Sequence, residues 1–132
     1  MSKIFNMSEA ASIGLHSMVI IARQEEMMNV IKISEMINAS KHHVAKVLQR
    51  LVKDDVLKSS RGPFGGFSLN KKPEEISLLV IFESIEGKME VSKCPNNIEI
   101  CPFDKCILGT VANKMTKDFK EYLSGQTLDK YL

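Results

Sequence analysis

The three cysteines of the chain lie within thirteen residues, between positions 94 and 106. Cys94, Cys101 and Cys106 follow the pattern Cys-x6-Cys-x4-Cys, and a proline comes directly after each of the first two. Because proline fixes its own φ and restricts the residue before it, the backbone here is expected to extend or turn, which can direct several sulfurs toward one centre. Thiolates gathered in this way can bind a metal or a cluster, or react with oxidants.

The cysteine spacing leaves four kinds of site open. It lacks the short Cys-x2-Cys step of most structural zinc sites, and no His-x3-His follows it. Three thiolates suit an iron–sulfur cluster whose remaining position is held by a nitrogen or oxygen ligand. Zinc, a thiol switch and unreactive cysteines are the alternatives. An enzyme is not expected, because the sequence has no Cys-x2-Cys beside a βαβ unit, no nucleotide-binding loop and no metalloprotease motif.

The basic residues are concentrated in the middle of the chain, although the net charge is only +2. Residues 40–72 contain eight Lys or Arg against two Asp, whereas residues 1–39 contain three against four acids and residues 73–132 contain seven against ten. A basic block between two mildly acidic segments is typical of a surface that binds a polyanion. A solvated charged face would have the same composition, so the structure of the block must decide.

The composition is typical of a globular protein in a reducing compartment. The chain has 132 residues, 44% of them hydrophobic and 26% charged, which suits one domain with a modest core. The opening stretch has no uninterrupted apolar region of a secretory signal, and no apolar run reaches the roughly 18 residues of a membrane span. We therefore expect a cytoplasmic protein with no membrane partner, in which clustered cysteines favour metal or redox chemistry over structural disulfides.

Hydrophobic periodicity predicts a helix-turn-helix within the basic block. A first helix is expected over 8–23 with Ser8 as its N-cap, and a short one over 33–39 with Ser34 as its N-cap and Ile33, Met36 and Ile37 turned inward. A second amphipathic helix is predicted over 40–55, with Ser40 as its N-cap. Its buried stripe would consist of Val44, Val47, Leu48 and Leu51, and its outward-facing side of Lys41, His42, Lys46, Gln49, Arg50 and Lys53.

A β-hairpin, or wing, is predicted directly after this helix. Residues 56–58 and 67–69 alternate as strands do, and the stretch RGPFGG between them, residues 61–66, has the residues of a tight turn. Glycines at the tip would let the backbone approach a phosphate or the floor of a minor groove, with Arg61 reaching in. A plain hairpin turn is the alternative, but the position behind a basic helix-turn-helix favours the wing.

The C-terminal part is predicted to form a helix over 72–87 that opens with Pro73, the cysteine loop, and a long helix over 106–126. The fold class is thus mainly α with a small β-wing, divided into a winged helix-turn-helix domain (1–88) and a cysteine loop with a dimerisation helix (89–132). Apolar residues of the long helix recur every three or four positions. Such a stripe usually belongs to the core, but the winged domain already has its own core, so a dimer interface is predicted. These residues, named the seam, are Leu108, Val111, Met115, Phe119 and Tyr122/Leu123.

Three stretches together resemble the Rrf-type winged-helix transcription regulators of the IscR/NsrR-like iron–sulfur branch. They are GLHSMVIIA, VAKVLQRLVKDDVLKSSRGPFGGFSL and the three-cysteine loop, and the resemblance extends from Ser8 to the terminal TLDKYL. It implies a homodimer crossed over through the long C-terminal helix and a two-iron or four-iron cluster on the three cysteines. A fourth ligand comes in this family from a histidine beyond the third cysteine, which CILGTV lacks, or from the first helix of the other subunit, where this chain offers His16, Ser12 and Glu9.

The resulting hypothesis is a transcription regulator that binds double-stranded operator DNA and senses the state of an iron–sulfur cluster. Gln49 and Arg50 are the candidates for base contacts, because each can present paired hydrogen-bonding groups. The other predicted DNA-binding residues are Ser40, Lys41, His42, Lys46 and Lys58, of which the lysines would meet phosphates, and Arg61, Gly65 and Gly66 in the wing. The alternative is a cluster-free repressor of the same family, which uses the cysteines as a thiol/disulfide switch or responds to a metabolite.

Overall fold

The computed structural model describes residues 7–90, 101–109 and 111–132. Helices α1 (Glu9–Ala22), α2 (Val30–Ile37) and α3 (Lys41–Lys53) are followed by the strands β1 (Leu57–Ser60) and β2 (Gly66–Leu69). Helix α4 (Leu78–Glu86) and helix α5 (Val111–Gly125) come next, and 3-10 turns lie at Pro73–Glu75 and Leu128–Tyr131. The strands pair antiparallel, with Leu57 opposite Leu69 and Ser60 opposite Gly66. The predicted fold class, mainly helical with a small β-wing, is confirmed.

The first and third helices begin where the sequence predicts. Ser8 Oγ accepts a hydrogen bond from the backbone N–H of Ala11 at 3.1 Å, and Ser40 Oγ accepts one from His43 at 3.5 Å. Each hydroxyl thereby satisfies one of the N–H groups that the first turn of a helix leaves without a partner. Because this bond spans only three residues, its signal is readable from the local sequence.

The prediction of a helix over 33–39 with Ser34 as its N-cap is wrong in both respects, since α2 is Val30–Ile37. Asn29 is the N-cap, since its Oδ1 accepts from the Lys32 N–H at 2.8 Å, and Ser34 lies buried in the helix. The reason is a non-local pairing just before the helix. Met28 and Phe67 exchange two backbone hydrogen bonds of 3.0 and 2.8 Å, which fix the chain in an extended conformation up to Asn29. Ile33 is buried as predicted, but Met36 is exposed.

The predicted helix over 72–87 is shorter in the structure, for a similar reason. Pro73–Glu75 form a single 3-10 turn, Ile76 is extended, and α4 begins only at Leu78. The backbone of Ile76 accepts from the Leu128 N–H at 3.0 Å, and the Leu78 N–H donates to the Gln126 carbonyl at 2.8 Å. This pairing with the C-terminal segment takes residues 76 and 77 out of the helix.

One core joins the helices to the wing and to the C-terminus. Helix α1 lies against α3 and α4, and the core cluster includes Met18, Leu48, Phe67, Ile81 and Leu128. Leu128 is fully buried, so the C-terminal turn completes the core of the N-terminal unit. The division at residue 88 stays a prediction, although its two parts share this core. No helix in the described part of the chain is long and apolar enough to cross a membrane.

The seam on the long helix is divided between two environments. The helix begins at Val111 and not at 106, because residues 107–109 form a turn. Towards its C-terminal end, Leu123 is buried and the Phe119 ring stands edge-on to Phe82, with ring centroids 5.6 Å apart. Leu108, Val111, Met115 and Tyr122 are exposed. Only part of the seam is therefore available to another subunit.

The wing is held against the α1–α2 connection at a point that only glycine can occupy. Gly66 has a φ of +149°, and a Cβ atom there would lie 2.5 Å from the Met28 carbonyl oxygen. A side chain at this position would thus be strained and would push the wing away from Met28.

We expect Gly66→Ala to lower the free energy of unfolding by about 1–3 kcal/mol, because both the backbone strain and the contact with Met28 must be relieved. Urea denaturation measures the change. Gly125→Ala is the matched control, since nothing lies within 4 Å of a Cβ at the end of α5, and it should be neutral or slightly stabilising. Equal unfolding midpoints for the Gly66 variant and the wild type would contradict this account of the wing.

Candidate nucleic-acid interface

The orientation of α3 is set by its apolar side. Val44, Val47, Leu48 and Leu51 are all buried, as predicted. The polar positions on the opposite side face outward, and all of the predicted contact residues at the N-cap and on this helix are exposed. They are Ser40, Lys41, His42, Lys46, Gln49 and Arg50. Burial of one side thus presents the polar side as a continuous surface, which is the arrangement of a recognition helix.

The outer side of α3 contains cations and no carboxylates. Its charged residues are Lys41, Lys46, Arg50 and Lys53. Neither Lys41 nor Lys46 forms an ion pair with any residue in the described ranges. These ammonium groups are therefore free to meet phosphates, and a surface of this kind attracts a polyanion in a salt-dependent way.

Arg50 differs from its neighbours because it also contacts the fold. Its Nε donates to the Ser84 carbonyl of α4 at 2.9 Å and lies 3.9 Å from Asp54 Oδ2, which also accepts from the Ser84 hydroxyl. The i,i+4 spacing of Arg50 and Asp54 is a sequence signal for this pair, whereas the contact with Ser84 is non-local. Gln49 is exposed and has no hydrogen bond to the described residues. Of the two residues predicted to contact bases, it is therefore the one whose hydrogen-bonding groups are free to do so.

The wing presents a second exposed surface. Lys58 and Arg61 are exposed, as is Phe64, which the sequence analysis did not select. Gly65 is required for closure of the turn, because a Cβ there would lie 2.3 Å from the Ser60 carbonyl oxygen. Glycine at 65 and 66 is thus explained by the construction of the wing, and a direct DNA contact by either residue stays a prediction.

The three candidate fourth ligands on α1 surround one hollow. Glu9, Ser12 and His16 line it together with the end of α2, and its volume is about 370 Å³. The Nδ1–H of His16 donates to the Ser12 carbonyl oxygen at 2.7 Å, which in the neutral imidazole places the lone pair on Nε2. Glu9 also approaches His43 at the start of α3, with 3.5 Å between Oε1 and Nδ1, a contact that the sequence analysis missed.

Two of the three predicted metal ligands lie on the segment before α5. Cys101 and Cys106 are both exposed and are not joined by a disulfide. Cys94 lies outside the described residues. Within the ranges that the structure describes, no three His, Cys, Asp or Glu side chains come together in a metal-binding arrangement. The predicted ligand set stays a prediction.

A hollow of about 480 Å³ lies between α1, the end of α2 and the C-terminal turn. It is mainly apolar and is lined by Leu15, Val19, Ile20 and Met36, with Tyr131 at its C-terminal side. Burial, followed by the neighbouring Tyr122 hydroxyl, raises the pKa of Tyr131 above its ordinary value of 10.0. This hydroxyl is therefore neutral near pH 7, and it donates to Gln126 Oε1 at 2.9 Å.

Comparison with known proteins identifies the family. Residues 7–132 match the profile of the family described as "Rrf2: Iron-dependent Transcriptional regulator". The chain belongs to the Rrf2 family. Over 118 residues it is 25% identical to the HTH-type transcriptional regulator IscR of Pectobacterium atrosepticum, covering 89% of this chain and 68% of that protein. The members of the Rrf2 family are transcriptional regulators, which supports DNA binding.

Solved structures of Rrf2 proteins have the same fold. CymR, the global cysteine regulator of B. subtilis, superposes with a TM-score of 0.76 at 23% identity, covering 95% of this chain and 94% of that one. The IscR of T. potens gives a TM-score of 0.76 at 24% identity, covering 95% of this chain and 84% of that one. At these identities the structural similarity establishes the winged-helix fold and does not identify a ligand.

Proposed function

We propose that this Rrf2 regulator is a homodimer that binds operator DNA, and that the state of an iron–sulfur cluster controls its affinity for that DNA. The observation that supports DNA binding most strongly is the two-sided character of α3. Its aliphatic side is buried in the core, while its outer side has four cations and no acid and is followed directly by an exposed wing. Composition alone left a solvated face as the alternative, and this geometry favours a recognition helix.

In the proposed complex, α3 lies in the major groove. Gln49 can present a donor and an acceptor to one base edge, whereas Lys41 and Lys46 contact phosphates on either side. The N-terminus of α3, with Ser40 and His42, faces the DNA backbone, where N–H groups of its first turn can donate to a phosphate oxygen. Arg61 of the wing reaches toward the adjacent minor groove, and Lys58 meets the phosphates beside it.

The exposed part of the seam supports a homodimer. Val111, Met115 and Tyr122 are large apolar side chains that remain in contact with water in the single chain. Apolar surface of this kind at regular helical spacing favours association with a second copy. The apolar hollow on α1 offers a surface for the partner's helix. Two-fold symmetry would set the recognition helices about 34–36 Å apart, the spacing of one turn of DNA.

The donor set fits an iron–sulfur cluster. Cys94, Cys101 and Cys106 supply three soft sulfur ligands, of which the two described are exposed and unpaired with each other. A fourth ligand from α1 of the other subunit is available at His16, Ser12 or Glu9, and an imidazole nitrogen is a suitable ligand for iron. When bound, such a cluster supplies one-electron chemistry and reactivity toward oxidants.

Helix α4 supports a route from the cysteine segment to α3. Glu83 Oε2 accepts from the Met89 N–H at 2.7 Å, and Lys120 Nζ of α5 donates to the Met89 carbonyl at 3.2 Å. The next residue, Ser84, accepts from Arg50 of α3. Two adjacent residues of α4 thus contact two different parts of the protein. Glu83 bonds the chain that leads into the cysteine segment, and Ser84 bonds the recognition helix. A change in the order of that segment can therefore bias the position of α3.

A cluster-free regulator is the second candidate. The same fold occurs in CymR, described as a global cysteine regulator, and the exposed thiols of Cys101 and Cys106 are accessible to oxidants. In this case a disulfide or a bound metabolite would replace the cluster as the signal.

Removing one phosphate contact tests DNA binding by α3. We expect Lys46→Ala to weaken binding to duplexes selected from a random pool and to reduce the slope of log K against log[salt] by about one. Fluorescence anisotropy over a series of salt concentrations measures both. Lys114→Ala on α5 removes an equally exposed charge and should leave the slope unchanged. Equal slopes for the two variants would contradict the placement of α3.

The cluster is tested by isolation without oxygen. We expect coloured protein that contains iron and acid-labile sulfide, and we expect Cys101→Ser to lose both. Because Cys101 is exposed, the unfolding midpoint of the metal-free variant should equal that of the metal-free wild type. Colourless, metal-free wild type with three titratable thiols would contradict the cluster and favour the cluster-free candidate.

A further inference from the structure

Phe64 is the most exposed of the large hydrophobic side chains in the described part of the chain, at 93% of its accessible surface. It lies on the turn between β1 and β2, which is closed by a hydrogen bond of 3.0 Å from the Gly65 N–H to the Gly62 carbonyl. Pro63 and Phe64 are the two central residues of this turn. An aromatic ring fully in water at the tip of a hairpin contributes nothing to the core and is accessible to a ligand.

The wing holds this ring away from the rest of the protein on a firm support. Three residues further on, Phe67 is buried, and its backbone pairs with Met28 through two hydrogen bonds. Nothing lies within 4 Å of a Cβ at Gly62, and Gly65 adds no side chain beside the ring. One phenylalanine thus anchors the wing, while the other projects from a tip narrowed by glycines. The hydrogen-bonded backbone of the wing therefore presents this ring without further ordering of the hairpin.

The charges around the tip limit what can bind there. Arg61 and Lys58 are exposed on the same hairpin, and residues 57–69 contain no acid. Glu25 and Glu26 lie across a hollow that Pro63, Phe64 and Gly65 also line. Phosphates would avoid that side, so a polyanion meets the tip from the side away from these carboxylates. A narrow groove with phosphates at its edges matches an apolar tip on a hairpin that also has exposed basic residues.

We propose that Phe64 enters the minor groove of the operator and wedges against, or partly between, two base pairs. This inference rests on the DNA binding proposed above. Apolar side chains inserted in this way unstack a base step and bend the duplex toward the major groove, and pyrimidine–purine steps yield most easily. The wing then selects a deformable step at a position where it makes no hydrogen bond to a base. Phe64 is thus a specificity-determining residue, and Arg61 beside it supplies affinity.

The test compares wing variants of the full chain on one duplex selected from a random pool. The step under the wing is varied between TA and a rigid AA, and a 2-aminopurine beside it reports unstacking. We expect Phe64→Ala to lower the affinity for the TA duplex by roughly 5- to 100-fold and to lose both the TA preference and the fluorescence rise. The slope of log K against log[salt] should stay unchanged. Phe64→Leu should retain most of the preference, because an aliphatic wedge can also unstack a step.

Arg61→Ala separates the two roles of the wing. It should lower the salt slope by about one and keep the TA preference, the reverse of Phe64→Ala. Unchanged urea midpoints for both variants are expected, since both side chains are exposed.

Three results would overturn the inference, and they can be distinguished from one another. If the wild type binds the selected duplex and Phe64→Ala binds it with the same affinity and step preference, the wedge is wrong while DNA binding stands. If the wild type selects no duplex at all, the proposed function itself fails. Loss of binding to anionic vesicles by Phe64→Ala, with DNA binding unaltered, would assign the ring to a membrane surface and would likewise contradict the wedge.

Discussion

The burial of one side of α3 is the constraint on which the rest of the molecule depends. Val44, Val47, Leu48 and Leu51 are taken out of water together, and each such side chain contributes roughly 1.5–3 kcal/mol. Repulsion among the exposed cations on the other side is worth far less, since surface charge pairs contribute only about 0–1 kcal/mol. Apolar burial therefore decides the rotation of the helix about its axis. The cations then have to face outward, and the wing that follows the helix begins beside them.

A second consequence is that the proposed DNA-binding surface and the C-terminal segment belong to one packed body. Leu128, near the end of the chain, lies in the same core as α1 and α3, and backbone hydrogen bonds join residues 126 and 128 to residues 78 and 76. Helix α4 contacts α3 through Ser84 and the chain leading to the cysteine segment through Glu83. In the proposed mechanism the signal would reach α3 through α4, because Glu83 and Ser84 are neighbours on this helix of nine residues.

The parts of the fold that could be predicted from the sequence are those whose causes are local. Ser8 and Ser40 cap helices three residues away, and the glycines and proline of the wing determine their own turn. The starts of α2 and α4 could not be predicted, because each depends on backbone pairing with a distant segment, at Phe67 and at Gln126–Leu128. The site divides in the same way. The exposure of Lys46 and Gln49 follows from helical periodicity, whereas the contact between Arg50 and Ser84 requires the packing of α4. The position of Phe64 could have been singled out from the sequence, because an aromatic residue within a turn of glycine and proline is exposed.

The measurement that tests the central claim most directly is protection of lysines from acetylation, followed by mass spectrometry with and without a selected duplex. The account predicts strong protection of Lys41, Lys46 and Lys58, which lie on α3 and the wing, and unchanged reactivity of Lys114 and Lys117, which are exposed on α5. Equal protection of both groups, or protection confined to α5, would contradict the claim that the outer side of α3 and the wing form the DNA-binding surface.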